Sequence, residues 1–193
     1  MSLYSSAYLK NLASSRPAQA KTKLFTESRQ IHTGFDIFLS HSFLDKDEVE
    51  GLYLELTDFG FTVYIDWIID PHLDRTNVTK ESATLVRNRM KSCKSLLLAI
   101  STNATTSKWM PWELGYLDGK TNKCAIIPVS KDATIPNSYK GVEYLSLYPF
   151  IKKLPTDNHV NKLWIIEEAS KYVVFDDWFH KSTQPFERNT KIF

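Results

Sequence analysis

Ser107, Trp109 and Glu113 stand in a Ser-x-Trp-x-x-x-Glu spacing inside Ser107-Lys108-Trp109-Met110-Pro111-Trp112-Glu113-Leu114-Gly115-Tyr116. Pro111 suits the first turn of a helix, where its missing N–H costs nothing, so Glu113 falls just inside a helix N-terminus. The helix dipole favours the charged form of a carboxylate there and draws a ligand's polar groups to the same place. The two indoles offer flat walls. One of them is expected at a site and the other packed, with Trp112 the core residue. Taken alone, a glutamate at a helix start is more often a dipole or capping partner than a catalyst. Two other loops carry similar residue types: Ser40-His41-Ser42-Phe43-Leu44-Asp45, and the stretch from Asp66 and Trp67 to Arg75, broken by Asp70-Pro71.

These loops hang on a regular alternation of short apolar runs and segments of helical period. Strands are predicted at Phe35–Ser40, 61–65, 95–100 and 125–129, with a weaker one at 144–147. Helices are predicted over 45–59, where Val49, Leu52, Tyr53 and Leu56 recur at helical spacing and Gly60 ends the pattern, and over 79–92 and 159–172. Pro128 places itself near a strand end or an edge, since it cannot donate to a ladder. Arg87, Arg89, Lys91 and Lys94 read as a solvated helix face. The fold class expected is α/β: a flavodoxin-like five-stranded parallel sheet of order 2-1-3-4-5 flanked by helices, with a short N-terminal helical extension. Such sheets bind ligands at the carboxyl ends of their strands, beside the switch point, which selects the loops after the first, second and third strands.

The remaining organisation is plain. Residues 1–33 read as an N-terminal extension, 34–175 as the domain and 176–193 as a tail that packs Trp178 and Phe179 or stays mobile. The first 26 residues hold Lys10, Arg16, Lys21 and Lys23 and no acid; a helix over about 4–13 with a Tyr8, Leu9, Leu12 stripe, broken at Ser14 to Pro17, is favoured over a transit peptide. With 24 basic and 22 acidic residues the net charge is +2, no general field for nucleic acid or a membrane. Cys93 and Cys124 lack metal-ligand spacing and read as buried thiols of a cytoplasmic protein. The acids between Asp66 and Asp74 have neither EF-hand spacing nor paired histidines, so no metal is expected.

Together the blocks resemble a known family. Ser107-x-Trp109-x-x-x-Glu113 is similar to the signature of the NAD-cleaving Toll/interleukin-1 receptor (TIR) domains. Phe35-Asp36-Ile37-Phe38-Leu39-Ser40-His41-Ser42, followed by the acidic Asp45, resembles that family's first-strand block, and Tyr64-Ile65-Asp66-Trp67 its second strand entering a mobile loop. The resemblance runs from about Phe35 to Tyr172 and is nearest to the TIR subunit of bacterial Thoeris antiphage systems.

That resemblance implies cleavage of the nicotinamide–ribose bond of NAD+ as substrate, with no cofactor and with Glu113 as the catalytic carboxylate. Ser107 and Trp109 would contact the substrate, Ser40, His41, Ser42 and Phe43 would line its ribose and nicotinamide end, and Asp66, Trp67, Asp70 and Arg75 would form a movable lid. It further implies self-association through TIR–TIR contacts and a separate effector that senses the nucleotide product. Linear ADP-ribose and a cyclic ADP-ribose-type product both remain open. Two other readings compete: a TIR–TIR interaction module without chemistry, and, more remotely, a nucleoside deoxyribosyltransferase, which Glu113-Leu114-Gly115 partly resembles. That enzyme's Gly-rich loop is missing here, where Ser40-His41-Ser42 stands.

Overall fold

The computed structural model describes residues 4–31, 34–74, 79–101, 103–104, 107–130 and 143–192. In chain order these form β1 (Tyr4–Ser5), α1 (Ser6–Ser15), α2 (Ala18–Arg29), β2 (Phe35–Ser40), α3 (Lys46–Asp58), β3 (Val63–Tyr64) and α4 (Asp66–Ile69). There follow α5 (Lys80–Ser92), β4 (Cys93–Ile100), α6 (Trp109–Thr121), β5 (Cys124–Ser130), β6 (Phe150–Pro155), β7 (Asn161–Glu168), β8 (Lys171–Val174), α7 (Phe175–Lys181) and β9 (Phe186–Glu187). Single 3-10 turns stand at Phe43–Asp45 and Glu143–Leu147.

The sheet runs β3-β2-β4-β5-β6-β7-β8-β9, and its first five strands are parallel in the expected 2-1-3-4-5 order. β4 lies at the centre of that part, with Leu96, Leu97, Leu98, Ala99 and Ile100 all buried, as a strand covered on both faces requires. Each fully buried leucine contributes roughly 1.5–3 kcal/mol over an exposed one. Pro128 pairs with Ile100 at the last register position of β4, so its missing N–H falls near the end of the ladder. The Thr79 hydroxyl caps α5 in a reciprocal capping box with Ser82.

Two expectations fail here. The fifth parallel strand is β6, not residues 144–147; those form the 3-10 turn, in which Leu145 alone is buried among the described side chains. Residues 159–172 form no helix. β7 pairs antiparallel with β6 from Phe150↔Ile166 to Pro155↔Asn161, across a turn in which Thr156 N–H donates to Val160 O and His159 takes φ 59°. Ile165 and Ile166 are β-branched and both wholly buried, which suits a strand stacked between two neighbours better than a one-sided helix. Of the two alternatives for the tail after Asp176, the structure shows the packed one: Trp178 and Phe179 of α7 are buried, Phe179 edge-on to Phe61.

The N-terminal segment holds two helices where one was expected. α1 buries Leu9 and Ala13 and packs on α3, and Ser5 caps it by accepting from Tyr8 N–H. Gly51 of α3 sits against the Leu9 carbonyl at a distance that leaves no room for a Cβ. Ion pairs ring the contact: Lys10 with Glu48 at 3.2 Å, Arg16 with Asp58 at 2.5 Å and Lys21 with Glu50 at 2.6 Å. β1 pairs in parallel with the carboxyl end of β5, at Val129 and Ser130.

Candidate active site

β2 and β4 are neighbours from which the chain departs in opposite directions, so the switch point lies between their carboxyl ends. Ser40, the last residue of β2, meets Glu113 of α6 there. Its hydroxyl donates to Glu113 Oε2 at 2.6 Å, and both residues are 0% exposed. A charge-assisted hydrogen bond of this length in a covered site is strong and holds the carboxylate in one orientation.

His41 is buried next to it in sequence. Its Nδ1 lies 2.9 Å from Leu39 O; a carbonyl only accepts, so Nδ1 carries the proton and the ring is fixed with Nε2 toward Asp66 Oδ1, 3.6 Å away. The Asp66 Oδ1 atom also accepts from Trp67 N–H at 2.8 Å. Ser42 is buried and its hydroxyl accepts from Leu44 N–H at 3.4 Å, opening the 3-10 turn. Ser40 at the end of β2, His41 and Ser42 just after it, Asp66 at the start of α4 and Glu113 in α6 thus stand at one edge of the sheet.

Ser107 accepts from Met110 N–H at 3.4 Å, which satisfies a free donor in the first turn of α6. Trp109 is half-buried and packs against Trp112, ring centroids 5.6 Å apart. Trp112 is not in the core as expected. It is half-buried, with the Arg87 guanidinium 5.8 Å from its ring, and Met110, Leu114 and Leu117 supply the inward face of α6.

Other predicted site residues make different contacts. Phe43 is 66% exposed. The Trp67 ring lies beneath Lys46 Nζ, 4.9 Å from its centroid, and edge-on to Phe25 of α2. Asp70 is buried, with both oxygens taken: Arg89 donates to them at 2.6 and 2.8 Å, and the Tyr64 hydroxyl donates to Oδ2 at 2.9 Å. The basic stretch is therefore no simple solvated helix face: Arg89 of α5 pins this loop, and Lys94 lies on β4, where it pairs with Asp36. Arg75 lies outside the described residues. Among the described residues no group of three or more His, Cys, Asp or Glu side chains could hold a metal ion, and no helix is long and apolar enough to cross a membrane.

Asp45 does more than open α3. It is buried, its Oδ2 accepts from Ser101 Oγ at 2.5 Å and its Oδ1 from Asn103 Nδ2 at 2.7 Å, which ties the loop after β2 to the loop after β4. From Ser101 a run of bonds, Ala104 N–H to Ser101 O and Ser107 N–H to Ala104 O, leads to the start of α6. The acidic residue after the first-strand block was the one signal of this tie in the sequence.

A doubly wound sheet of the α/β class takes its ligands at the switch point, where the buried Glu113 carboxylate stands. The sequence profile of the TIR domain matches residues 37–163, and the chain belongs to the TIR domain family, as the spacing of Ser107, Trp109 and Glu113 suggested. It is 48% identical over 149 residues, 77% of either chain, to a protein of Bacillus cereus (strain MSX-D12) named as a probable 3′ cyclic ADP-D-ribose synthase, ThsB′. A putative cyclic ADP-D-ribose synthase of Cytobacillus dafuensis, TIR2, is 27% identical over 93 residues, 47% of this chain and 24% of that protein.

Proposed function

We propose that this chain breaks the nicotinamide–ribose bond of NAD+ and closes the remaining ADP-ribose into a cyclic signal of antiphage defence. The observation that carries the reading is the Glu113 carboxylate, buried at the switch point and oriented by Ser40. As the glycosidic bond lengthens, positive charge develops on the ribose ring, and a fixed carboxylate in a covered site stabilises it far more than the same group in water. Nicotinamide leaves as a neutral molecule with the bonding electron pair, so no general acid is required.

A hydroxyl of the same molecule then bonds to the anomeric carbon and releases its proton. The name of the 48% identical relative points to a 3′ oxygen as that nucleophile. Water in its place gives linear ADP-ribose, so exclusion of water sets the product. In this reading Trp109 forms a wall for a ring of the substrate, Ser107, His41, Ser42 and Asp66 supply polar contacts, and NAD+ is a substrate with no separate cofactor.

Because Glu113 is wholly covered, a covering group must move before the ribose reaches it, which accords with an enzyme completed by self-association. Phe43 and Leu44, 66% and 67% exposed on the turn beside the site, suit such TIR–TIR contacts. A separate effector reading the product belongs to the same proposal. The free, buried thiols of Cys93 and Cys124 accord with a cytoplasmic location.

The test is mass-resolved chromatography of NAD+ incubated with the chain and with Glu113→Gln, dilute and concentrated. Nicotinamide release that the variant lacks supports the reading, and the co-product separates cyclase from hydrolase. No release from the concentrated wild type favours an interaction module whose glutamate is structural.

A further inference from the structure

Residues 4–31 precede the stretch matched by the TIR domain, yet α2 is docked on the loop that follows β3. α4, at the start of that loop, has 4 residues, so beyond Asp66 O, which accepts from Asp70 N–H, its carbonyls have no following helical turn to supply a donor. Arg29 of α2 supplies one from outside: its Nε donates to Ile68 O at 2.7 Å, a cation capping a helix C-terminus. Phe25, one helical turn earlier, meets the Trp67 ring edge-on at 6.2 Å and Tyr53 of α3 at 5.5 Å. Between them Ser28 joins its hydroxyl to that of Tyr53 at 2.5 Å. α4 therefore lies between α2 on one side and the Arg89–Asp70 pair at its end.

α4 carries Asp66, whose carboxylate faces His41. We propose that Phe25 and Arg29 are positioning residues for substrate binding: α2, packed on the Trp67 ring and the Ile68 carbonyl, holds α4 so that the Asp66 carboxylate forms part of one wall of the NAD+ site. This rests on the NAD+-cleaving reading given above. The Ser40–Glu113 pair is built by β2 and α6, elements other than the one α2 caps. Loosening α2 therefore weakens binding and leaves the bond-breaking step nearly as fast.

The double variant Phe25→Ala with Arg29→Gln is compared with wild type and with Arg16→Ala, which removes an ion pair of the same segment to Asp58, away from α4. Expected is a KM for NAD+ raised about tenfold with kcat changed by less than about threefold, while Arg16→Ala leaves both unchanged. Arg29→Lys in the Phe25 wild-type background keeps a cationic donor and stays near the wild-type KM. Backbone amides of residues 66–70 exchange with deuterium faster in the double variant than in wild type. Unchanged exchange at 66–70, or a KM unchanged while kcat falls, overturns the proposal. If the wild type releases no nicotinamide at all, the NAD+ reading fails by itself, and the proposal falls with it as a statement about NAD+. The exchange comparison then reports separately on whether α2 holds α4.

Discussion

The Ser40 hydroxyl donates to Glu113 Oε2 over 2.6 Å and so joins the end of β2 to the first turns of α6, with neither residue exposed. Glu113→Gln keeps the shape and removes the charge. Nicotinamide release is expected to fall by about 1000-fold or more, the scale of losing one preorganised electrostatic group, with the circular dichroism spectrum unchanged. Ser40→Ala leaves the charge but frees its orientation, and about a 10- to 100-fold loss in kcat is expected. A wild-type rate in Ser40→Ala would reduce Ser40 to a packing residue.

Asp45 accepts from Ser101 and Asn103 at once. Asp45→Ala leaves two donors in a half-buried loop without their acceptor, at a cost of about 1–3 kcal/mol in urea unfolding. The rate of nicotinamide release should fall as well, because the freed loop leads into α6. Asp45→Asn retains one acceptor oxygen and is expected to lose less on both measures.

Gly51 and Gly115 are both helical and should respond oppositely to alanine. A Cβ on Gly51 would run into the Leu9 carbonyl, a backbone atom that cannot step aside, so α1 has to shift away from α3. A loss of about 1–3 kcal/mol is expected from chemical denaturation. At Gly115 nothing lies within 4 Å of the added Cβ, and alanine should stabilise α6 by up to about 1 kcal/mol.

Burial raises the Asp36 carboxyl, but the Lys94 ammonium at 2.8 Å and two donors from Thr62 outweigh it and hold the group below the usual carboxylate range. A depressed folded value means that this stabilisation is complete above the unfolded pKa, near about 4, and is lost as pH falls through the folded value. Thermal melts recorded downward from about pH 5 should lose stability, and Lys94→Met should make that decline shallower. An equally steep decline in the variant would assign the acid sensitivity elsewhere.

Burial pushes both Cys93 and Cys124 up to about 12. The thiolate is the reactive form, so iodoacetamide at about pH 8 should label neither residue until urea unfolds the chain. A raised folded value stabilises below the unfolded thiol pKa, about 8.5, and this contribution disappears as pH rises toward the folded value. Labelling of the native chain at neutral pH would show that these strands open locally.

Local pattern alone carried a good deal. The apolar runs of β2, β4 and β5, the helical spacing in α3, and the placement of Glu113 by Pro111 all depend on neighbours a few residues away, and the signature of Ser107, Trp109 and Glu113 named the family. What the sequence could not contain was the choice among distant partners. Residues 161–168 are apolar enough for either element, and only β6 and β8, lined up on both sides, make them a strand. Asp70 reads as a loop acid until Arg89, 19 residues away, occupies it. Phe25 and Arg29 show no periodic signal, and their contacts with Trp67 and Ile68 exist only after α2 has docked. Spacing reports the rotation of a side chain about its own element; hydrogen bonds and ion pairs between elements depend on which surfaces the whole chain buries together, and only the tertiary structure decides that.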